Sequence, residues 1–519
     1  MTRDAAAIGA GLAPARQARA IGPGERLHVI GAAGAGASAA ALLAHHAGGL
    51  VTGCDAGGPS PYTPALVGAG IALEWRHDVL HVTHDPIPTR VAVTKALTAI
   101  DPDHPELRAA AAAGIALEPW QQVVADAAFG RTLVGVAGTH GKSTTAGWLV
   151  HVLVAAGLDP AAFVGALLPG SVTAGIPSTA RLGGGKLFVV EADEYAGNFD
   201  AYRPDVAILT GAEWDHPDVF ADQAAVIDTF VAWLRRAPTG ATAVINVGDP
   251  GGAAVAGSLA DSTIQIVATA LVDEGPEGVA AVSRDLAARY GTGTGPARPL
   301  VARIVASEPA GTTLDVQGLD QGGGILEARL SSAGRHNAAN ALGVAGAAAA
   351  LGVPADGIVA ALASFEGVGR RLERKGETGG VVVYDDYGHH PTAIRETILA
   401  IRQREPGRRI WAVYEPLTYH RTAALLPAFA EALAAADAVV VAQIWAGRDP
   451  DTTVASAAGL AQAVALARPG IQVAAPGDVE ATADWLAHEV RAGDAVLIMG
   501  GGHSYRIADG LLRRLGSED

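Results

Sequence analysis

Val134-Gly-Val-Ala-Gly-Thr-His-Gly-Lys-Ser-Thr-Thr145 decides how this chain is read. The run from Thr132 to Ala137 has the length and apolar content of a buried strand. It breaks at Gly138-Thr139-His140-Gly141, and Lys142-Ser143-Thr144-Thr145 opens a helix that continues through Trp148, Leu149 and Val152. A strand, a Gly-containing loop and a helix N-terminus make a phosphate cradle. Backbone N–H groups and the positive helix end face the anion, a lysine adds a point charge, and a serine hydroxyl is placed for Mg²⁺. The loop is shorter than the common G-x-x-x-x-G-K-[ST] form, because Val136 stands five residues before Gly141.

Around this stretch, 519 residues predict about three domains. An apolar content of 50% marks a globular chain. The net charge of −16 argues against non-specific nucleic-acid binding and offers no basic face to a membrane. No apolar run reaches the ~18–20 residues of a membrane helix. The single cysteine, Cys54, excludes an internal disulfide and fits a reducing, cytoplasmic compartment. Residues 1–25, with Arg3, Arg16 and Arg19 but no continuous apolar core, are expected to be a flexible leader.

Towards the N-terminus, Leu27–Ile30 reads as a strand, Gly31-Ala-Ala-Gly34-Ala-Gly36 as a loop opening a helix, and Leu50–Gly53 as a second strand ending at Cys54-Asp55. A β-loop-α-β unit with an acid about 20 residues after its glycines is the dinucleotide-binding pattern, here with Ala33 at the middle glycine. It places a nucleotide diphosphate on a helix N-terminus; a βα turn that binds nothing has the same outline.

Beyond the phosphate loop, Lys186–Val190 is a strand ending in Glu191-Ala-Asp-Glu-Tyr195, and Val206–Leu209 is one ending in Thr210-Gly-Ala-Glu-Trp-Asp-His216. Carboxylates at the C-terminal ends of parallel strands lie where α/β sheets bind ligands, and can hold Mg²⁺ against phosphates. Residues 273–299 read as an insertion or mobile loop. Gly334-Arg-His-Asn-Ala-Ala-Asn340 opens an Ala-rich helix with His336, Asn337 and Asn340 near one face; amides there suit an adenine edge, and Asn337 equally suits a helix cap. In the last third, strands at 381–384, 410–413, 439–442 and 495–499 each end in polar residues and are followed by helices, a second doubly wound sheet.

The fold expected is α/β in three domains: Rossmann-like over 26–125, P-loop ATPase-like over 126–364, and a C-terminal doubly wound Rossmann-like sheet over 365–519. Gly31–Ser38, Gly138–Thr145, Glu191–Glu194, Asp215-His216-Pro217, Gly334–Asn340, Gly367–Arg371, Asp385–Pro391 and Gly500–Gly502 together resemble the Mur ligases across nearly the whole chain. Asp385-Asp-Tyr-Gly-His-His-Pro391 narrows the resemblance to the alanine-adding branch and its peptidoglycan-recycling relative.

The resemblance implies an ATP- and Mg²⁺-dependent ligase that joins L-alanine to the carboxylate of UDP-N-acetylmuramate through an acyl phosphate, acting as a monomer or weak homodimer. It implies that Gly138, Thr139, His140, Gly141, Lys142, Ser143 and Thr144 hold the ATP phosphates. His336, Asn337 and Asn340 would face adenine, with Arg371 and Asp386 closing from the last domain. Ser143, Glu191 and His216 would ligate metal. Gly31, Gly34, Gly36, Asp55 and His77 would hold the UDP-sugar, and Tyr387, His389, Tyr419 and Arg421 the amino acid. Lys142, Glu191, His216, His389 and Arg421 would carry the chemistry.

The chain departs from the family at Glu415-Pro-Leu-Thr-Tyr-His-Arg421, where Leu417 replaces a histidine. The alternatives kept open are a tripeptide-joining recycling ligase, a homologue using another amino acid, and a binding protein without turnover. A nicotinamide-dependent oxidoreductase would explain Gly31–Gly36 but leave the Lys142 loop without a role.

Overall fold

The computed structural model describes residues 8–290, 298–319, 324–447, 449 and 451–516. Three sheets follow one another along the chain. The first has β1 (Arg26–Ile30), β2 (Leu50–Cys54), β3 (Ala72–Glu74), β4 (Arg90–Val93) and β5 (Ala116–Pro119), in the order β3-β2-β1-β4-β5 and parallel throughout.

The second contains β6 (Thr132–Ala137), β7 (Ala161–Leu168), β8 (Ser178–Arg181), β9 (Leu187–Glu191), β10 (Val206–Leu209), β11 (Thr242–Asn246), β12 (Gln265–Val272), β13 (Leu300–Glu308), β14 (Gly311–Gln317) and β15 (Ile325–Leu330). Its order is β15-β14-β13-β12-β11-β10-β6-β9-β7-β8. The third has β16 (Glu373–Thr378), β17 (Val381–Asp386), β18 (Arg409–Glu415), β19 (Ala438–Val441), β20 (Gln472–Ala474) and β21 (Asp494–Gly500), ordered β16-β17-β21-β18-β19-β20.

Register fixes the site. β6 lies between β9 and β10, with Val136 opposite Glu191 and Ala137 opposite Leu209. The phosphate loop, the Glu191 cluster and the Thr210–His216 segment therefore leave the sheet side by side. Both faces of these strands are covered, so they are apolar along their whole length rather than alternating. The helix Lys142–Ala155 is buried along most of its length, and its Trp148 stacks on Phe365 with ring centroids 4.7 Å apart. In the third sheet, Val381–Asp386 is buried at every position, because the helices Pro391–Arg404 and Tyr505–Gly516 lie against opposite faces of that sheet.

Two expectations are corrected. Residues 8–25 are not a free leader. Ile8 is buried against Tyr195 and Ala196, Ala13 donates its N–H to Leu117, and Arg16 pairs with Glu118 at 2.9 Å and Asp126 at 2.6 Å. Buried Glu118 and Asp126, which also hold Arg90, need the cations that this segment carries; residues 1–7 lie outside the described residues. Within 273–299, Pro276–Tyr290 is a helix that buries Val279, Leu286 and Tyr290, its apolar spacing diluted by surface charge; residues 291–297 lie outside the described residues.

Candidate active site

The phosphate loop depends on two glycines. Gly138 has φ +131° and Gly141 φ +79°, conformations that side chains resist. A Cβ at Gly141 would also lie 2.6 Å from Asn340 Oδ1. Asn340 thus lies behind the loop, and Asn337 donates to the Ala333 carbonyl at 2.8 Å. The Lys142 ammonium donates to the Gly138 carbonyl at 2.6 Å and to Glu194 at 3.0 Å. Burial alone would lower its pKa; Glu194 and Asp193 outweigh that and keep it charged. Burial raises Glu194 to about 6 despite the lysine.

Ser143 Oγ donates to Glu191 Oε1 at 3.0 Å, and Gly165 N–H donates to Glu191 Oε2 at 2.6 Å. A hydroxyl and a carboxylate this close, both on the phosphate side of the loop, are the hard oxygen donors that Mg²⁺ takes. His216, expected with them, sits elsewhere: its ring nitrogen groups with Asp193 and Glu194, all ligand atoms within 4.8 Å. The candidate metal-binding residues therefore fall into two sets, Ser143 with Glu191 and Asp193 with Glu194 and His216. His216 has φ +54°, a strained conformation of the kind that collects at functional sites.

One cavity of about 770 Å³ joins all three domains. Gly31, Gly34, Gly36, Asp55 and His77 line it from the first sheet. Thr139–Ser143, Glu191 and His216 line it from the second, and Arg371, Tyr387, His389 and Arg421 from the third. Asp55 accepts the Ala33 N–H at 3.0 Å, which fixes the Gly31–Gly36 turn. A second cavity of about 690 Å³ opens on the other side of the phosphate loop and is lined by Thr144, His336, Asn337, Phe365, Arg371 and Asp386. Burial pushes the His336 imidazole down to about 4, so the ring is neutral there.

The third sheet reaches the loop through side chains. Arg371 donates to Ser143 Oγ at 2.9 Å and lies over the Tyr387 ring. Asp386 accepts from the Leu372 and Gly388 N–H groups, both at 2.7 Å, and so shapes the backbone that carries Arg371. Arg421 is buried and bound to Asp215. Burial opposes ionisation of Asp215, yet Arg421 holds the carboxylate well below the usual range. His389 is half-buried on the cavity wall, and desolvation, with Arg421 nearby, holds its imidazole well below the usual histidine range.

Gly138 and Asn340 support the loop from behind and are not on either cavity wall, and neither is Tyr419. Tyr419 begins the short helix Tyr419–Ala424, which turns Arg421 inward. Sequence reasoning passed over five contributors. Asp193 and Glu194 were within a motif but given no metal role. Arg370 binds Asp385 at 3.1 Å and Ser504 at 2.9 Å. Glu213 joins His140 at 3.4 Å to Thr392 at 2.7 Å, and His390 stacks on His140 at 4.3 Å. Position after a strand could have flagged Glu213; its partner Thr392, 179 residues away, could not be read from it.

The chain matches the family descriptions "Mur ligase family, catalytic domain" over residues 26–131, "Mur ligase middle domain" over 136–348 and "Mur ligase, glutamate ligase domain" over 370–502. It is 36% identical to UDP-N-acetylmuramate–L-alanine ligase of Mycolicibacterium paratuberculosis, covering 92% of this chain and 93% of the relative. It is 34% identical to the enzyme of that name from Frankia casuarinae, covering 95% and 98%. Among solved structures, UDP-N-acetylmuramate-alanine ligase from Thermotoga maritima shares the fold with a TM-score of 0.74 at 22% identity, over 95% of this chain and all of that one. A murein peptide ligase from Psychrobacter arcticus does so at 0.68 and 25%, over 95% and 99%. With all three sheets matched in order and the relatives aligned nearly end to end, the chain belongs to the Mur ligase family.

Proposed function

We propose that this protein joins L-alanine to the carboxylate of UDP-N-acetylmuramate at the expense of ATP, in the cytoplasmic synthesis of peptidoglycan precursors. The observation that carries the reading is the single cavity in which a nucleotide-diphosphate turn, a phosphate loop and the polar ends of the third sheet meet. Relatives with that printed name align over more than nine-tenths of the chain.

The roles divide by sheet. Gly31–Gly36 and Asp55 hold the sugar nucleotide. The loop N–H groups and Lys142 hold the ATP phosphates, and His336 and Asn337 face the base in the neighbouring cavity. Ser143 and Glu191 would hold Mg²⁺, which would neutralise charge on the transferring phosphoryl group. The muramic carboxylate attacks the γ-phosphorus and ADP departs. The amine of alanine then attacks the acyl carbon, and phosphate leaves as the amide forms. Lys142 and Arg371 place positive charge where phosphate charge builds, which is the larger part of such catalysis. The His389 ring lines the amino-acid side of the cavity as a neutral imidazole and can orient the incoming amine by a hydrogen bond. The converging domains keep water from the acyl phosphate.

Phosphate release from ATP with UDP-N-acetylmuramate, Mg²⁺ and single amino acids tests this. Release that requires L-alanine is expected. Release only with a free murein tripeptide assigns the chain to the recycling class, and none with either overturns the ligase reading.

A further inference from the structure

Behind the sugar-nucleotide side of the cavity lies a cluster that the ligase reaction does not use. β1 and β2 run parallel with Ile30 opposite Cys54, which brings His28 and Cys54 to one face of the first sheet. The helix Pro105–Ala112 sets Glu106 against them, and the short helix Leu80–Thr83 adds His81. His28, Cys54 and Glu106 are each no more than 2% exposed. The surrounding shell is Ile30, Val82, Val91, Val93 and Leu107. Polar groups this deep in an apolar core are costly unless something organises them.

The separations have a pattern. His28 Nε2 is 3.3 Å from Cys54 Sγ and 3.2 Å from Glu106 Oε1. Cys54 Sγ is 3.6 Å from both Glu106 oxygens, and His81 Nδ1 is 2.8 Å from Glu106 Oε1. All four residues offer ligand atoms within 4.8 Å of one another. A tetrahedral zinc ion with bonds of about 2.0–2.3 Å holds its ligand atoms roughly 3.3–3.8 Å apart; the His28, Cys54 and Glu106 separations are close to that, and the 2.8 Å His81–Glu106 contact would have to open on binding.

Cys54 Sγ, with one hydrogen to donate and only weak acceptor capacity, faces His28, both Glu106 oxygens and His77 Nδ1 at 3.4 Å. The outer contact of His28 is that of a ligating histidine: Thr52 Oγ1 holds Nδ1 at 2.8 Å, leaving Nε2 inward. The Glu74 carboxylate lies 3.3 Å from His81 Nε2 without a hydrogen bond to it.

We propose that His28, Cys54, His81 and Glu106 form a closed structural site for a divalent, borderline-soft metal ion of the zinc class, separate from the Ser143–Glu191 oxygen site. Binding displaces the thiol proton to solvent and gives a metal thiolate. The ion ties two strands and two helices together directly behind Asp55 and His77, and so stiffens the sugar-nucleotide wall. The site stands independently of the ligase reading, since its test involves no turnover.

Cys54 is the only cysteine in the chain, so any thiolate–metal signal reports on it alone. The full chain, stripped with a chelator and supplied with excess Mg²⁺, is titrated with Co²⁺. A thiolate-to-cobalt charge-transfer absorption that saturates at one equivalent, is displaced by Zn²⁺ and is lost in Cys54→Ser is expected. No such absorption in the wild-type chain overturns the proposal, whatever the variant does. An absorption unchanged in Cys54→Ser overturns it as well.

Discussion

Arg421, in the short helix after β18, donates from Nε to Asp215 Oδ1 at 2.9 Å, and Asp215 follows β10 of a different sheet. Each is about 5% exposed or less. The pair is a buried tie between the second and third sheets at the wall of the main cavity. Removing one partner leaves a lone charge in a dry interface, which costs about 3–5 kcal/mol. Arg421→Ala should lose stability of that order in denaturant unfolding. Adding Asp215→Asn to it should recover part of the loss, and strictly additive losses would show that the two groups do not depend on each other.

Lys142→Ala should reduce phosphate release by at least ~10²–10³-fold, the scale of losing one preorganised charge partner of the transferring group. Sugar-nucleotide binding, followed by calorimetry, should stay within about twofold, because Gly31–Gly36 and Asp55 lie on another sheet. An equal loss of both would contradict the division of roles between the sheets.

Glu415 gives a pH dependence of known sign. Burial raises its carboxyl from 4.5 to about 7, against the Ser504, His503 and Gly502 N–H groups. The folded chain then keeps a proton that the unfolded chain has already lost. Its contribution to stability is complete below 4.5 and disappears as pH rises through about 7. Glu415→Gln removes this loss. The variant should gain on the wild type between about pH 5 and about pH 8, by no more than about 3 kcal/mol, in paired thermal melts. A difference that does not change with pH would sink the assignment.

Leu417 pairs with Trp445 through an isolated bridge and lines the main cavity. It packs so close to Gly501 that a Cβ there would meet it at 2.7 Å. Where the family has a histidine, this wall is apolar. If the cavity takes alanine, Leu417→Ala should widen it and lower the ratio of kcat/KM for L-alanine over L-valine about tenfold or more. An unchanged ratio would put the amino-acid side chain elsewhere.

Much of this site was legible because the strands are short, apolar and buried on both faces. Each ends in a polar cluster, so Gly138–Ser143, Glu191 and His216 could be set at strand ends from the sequence alone. What was not legible is contact across sheets. Nothing near Arg421 in the chain announces Asp215, and nothing near Ser143 announces Arg371. Asp386 reads as a nucleotide-side residue and does line the cavity beside His336 and Asn337, but the two backbone N–H groups that engage its carboxylate could not be read from the sequence. The 8–25 segment looked free because its partners, Glu118 and Asp126, lie about a hundred residues on. Helix Pro276–Tyr290 escaped because its apolar stripe is thin.

The stacking of His140 on His390, and the Glu213 carboxylate between His140 and Thr392, make the phosphate loop a coincidence element. Its side facing the third sheet is completed only while that sheet is docked. Affinity for ATP thus becomes a report on the posture of a domain that carries little of the nucleotide. Thr392→Val, which touches the phosphate loop only through Glu213, should weaken ATP binding in calorimetry and leave the sugar nucleotide's affinity unaltered. A variant screen that reads such a loss as damage to the ATP site would misplace the lesion by a whole domain.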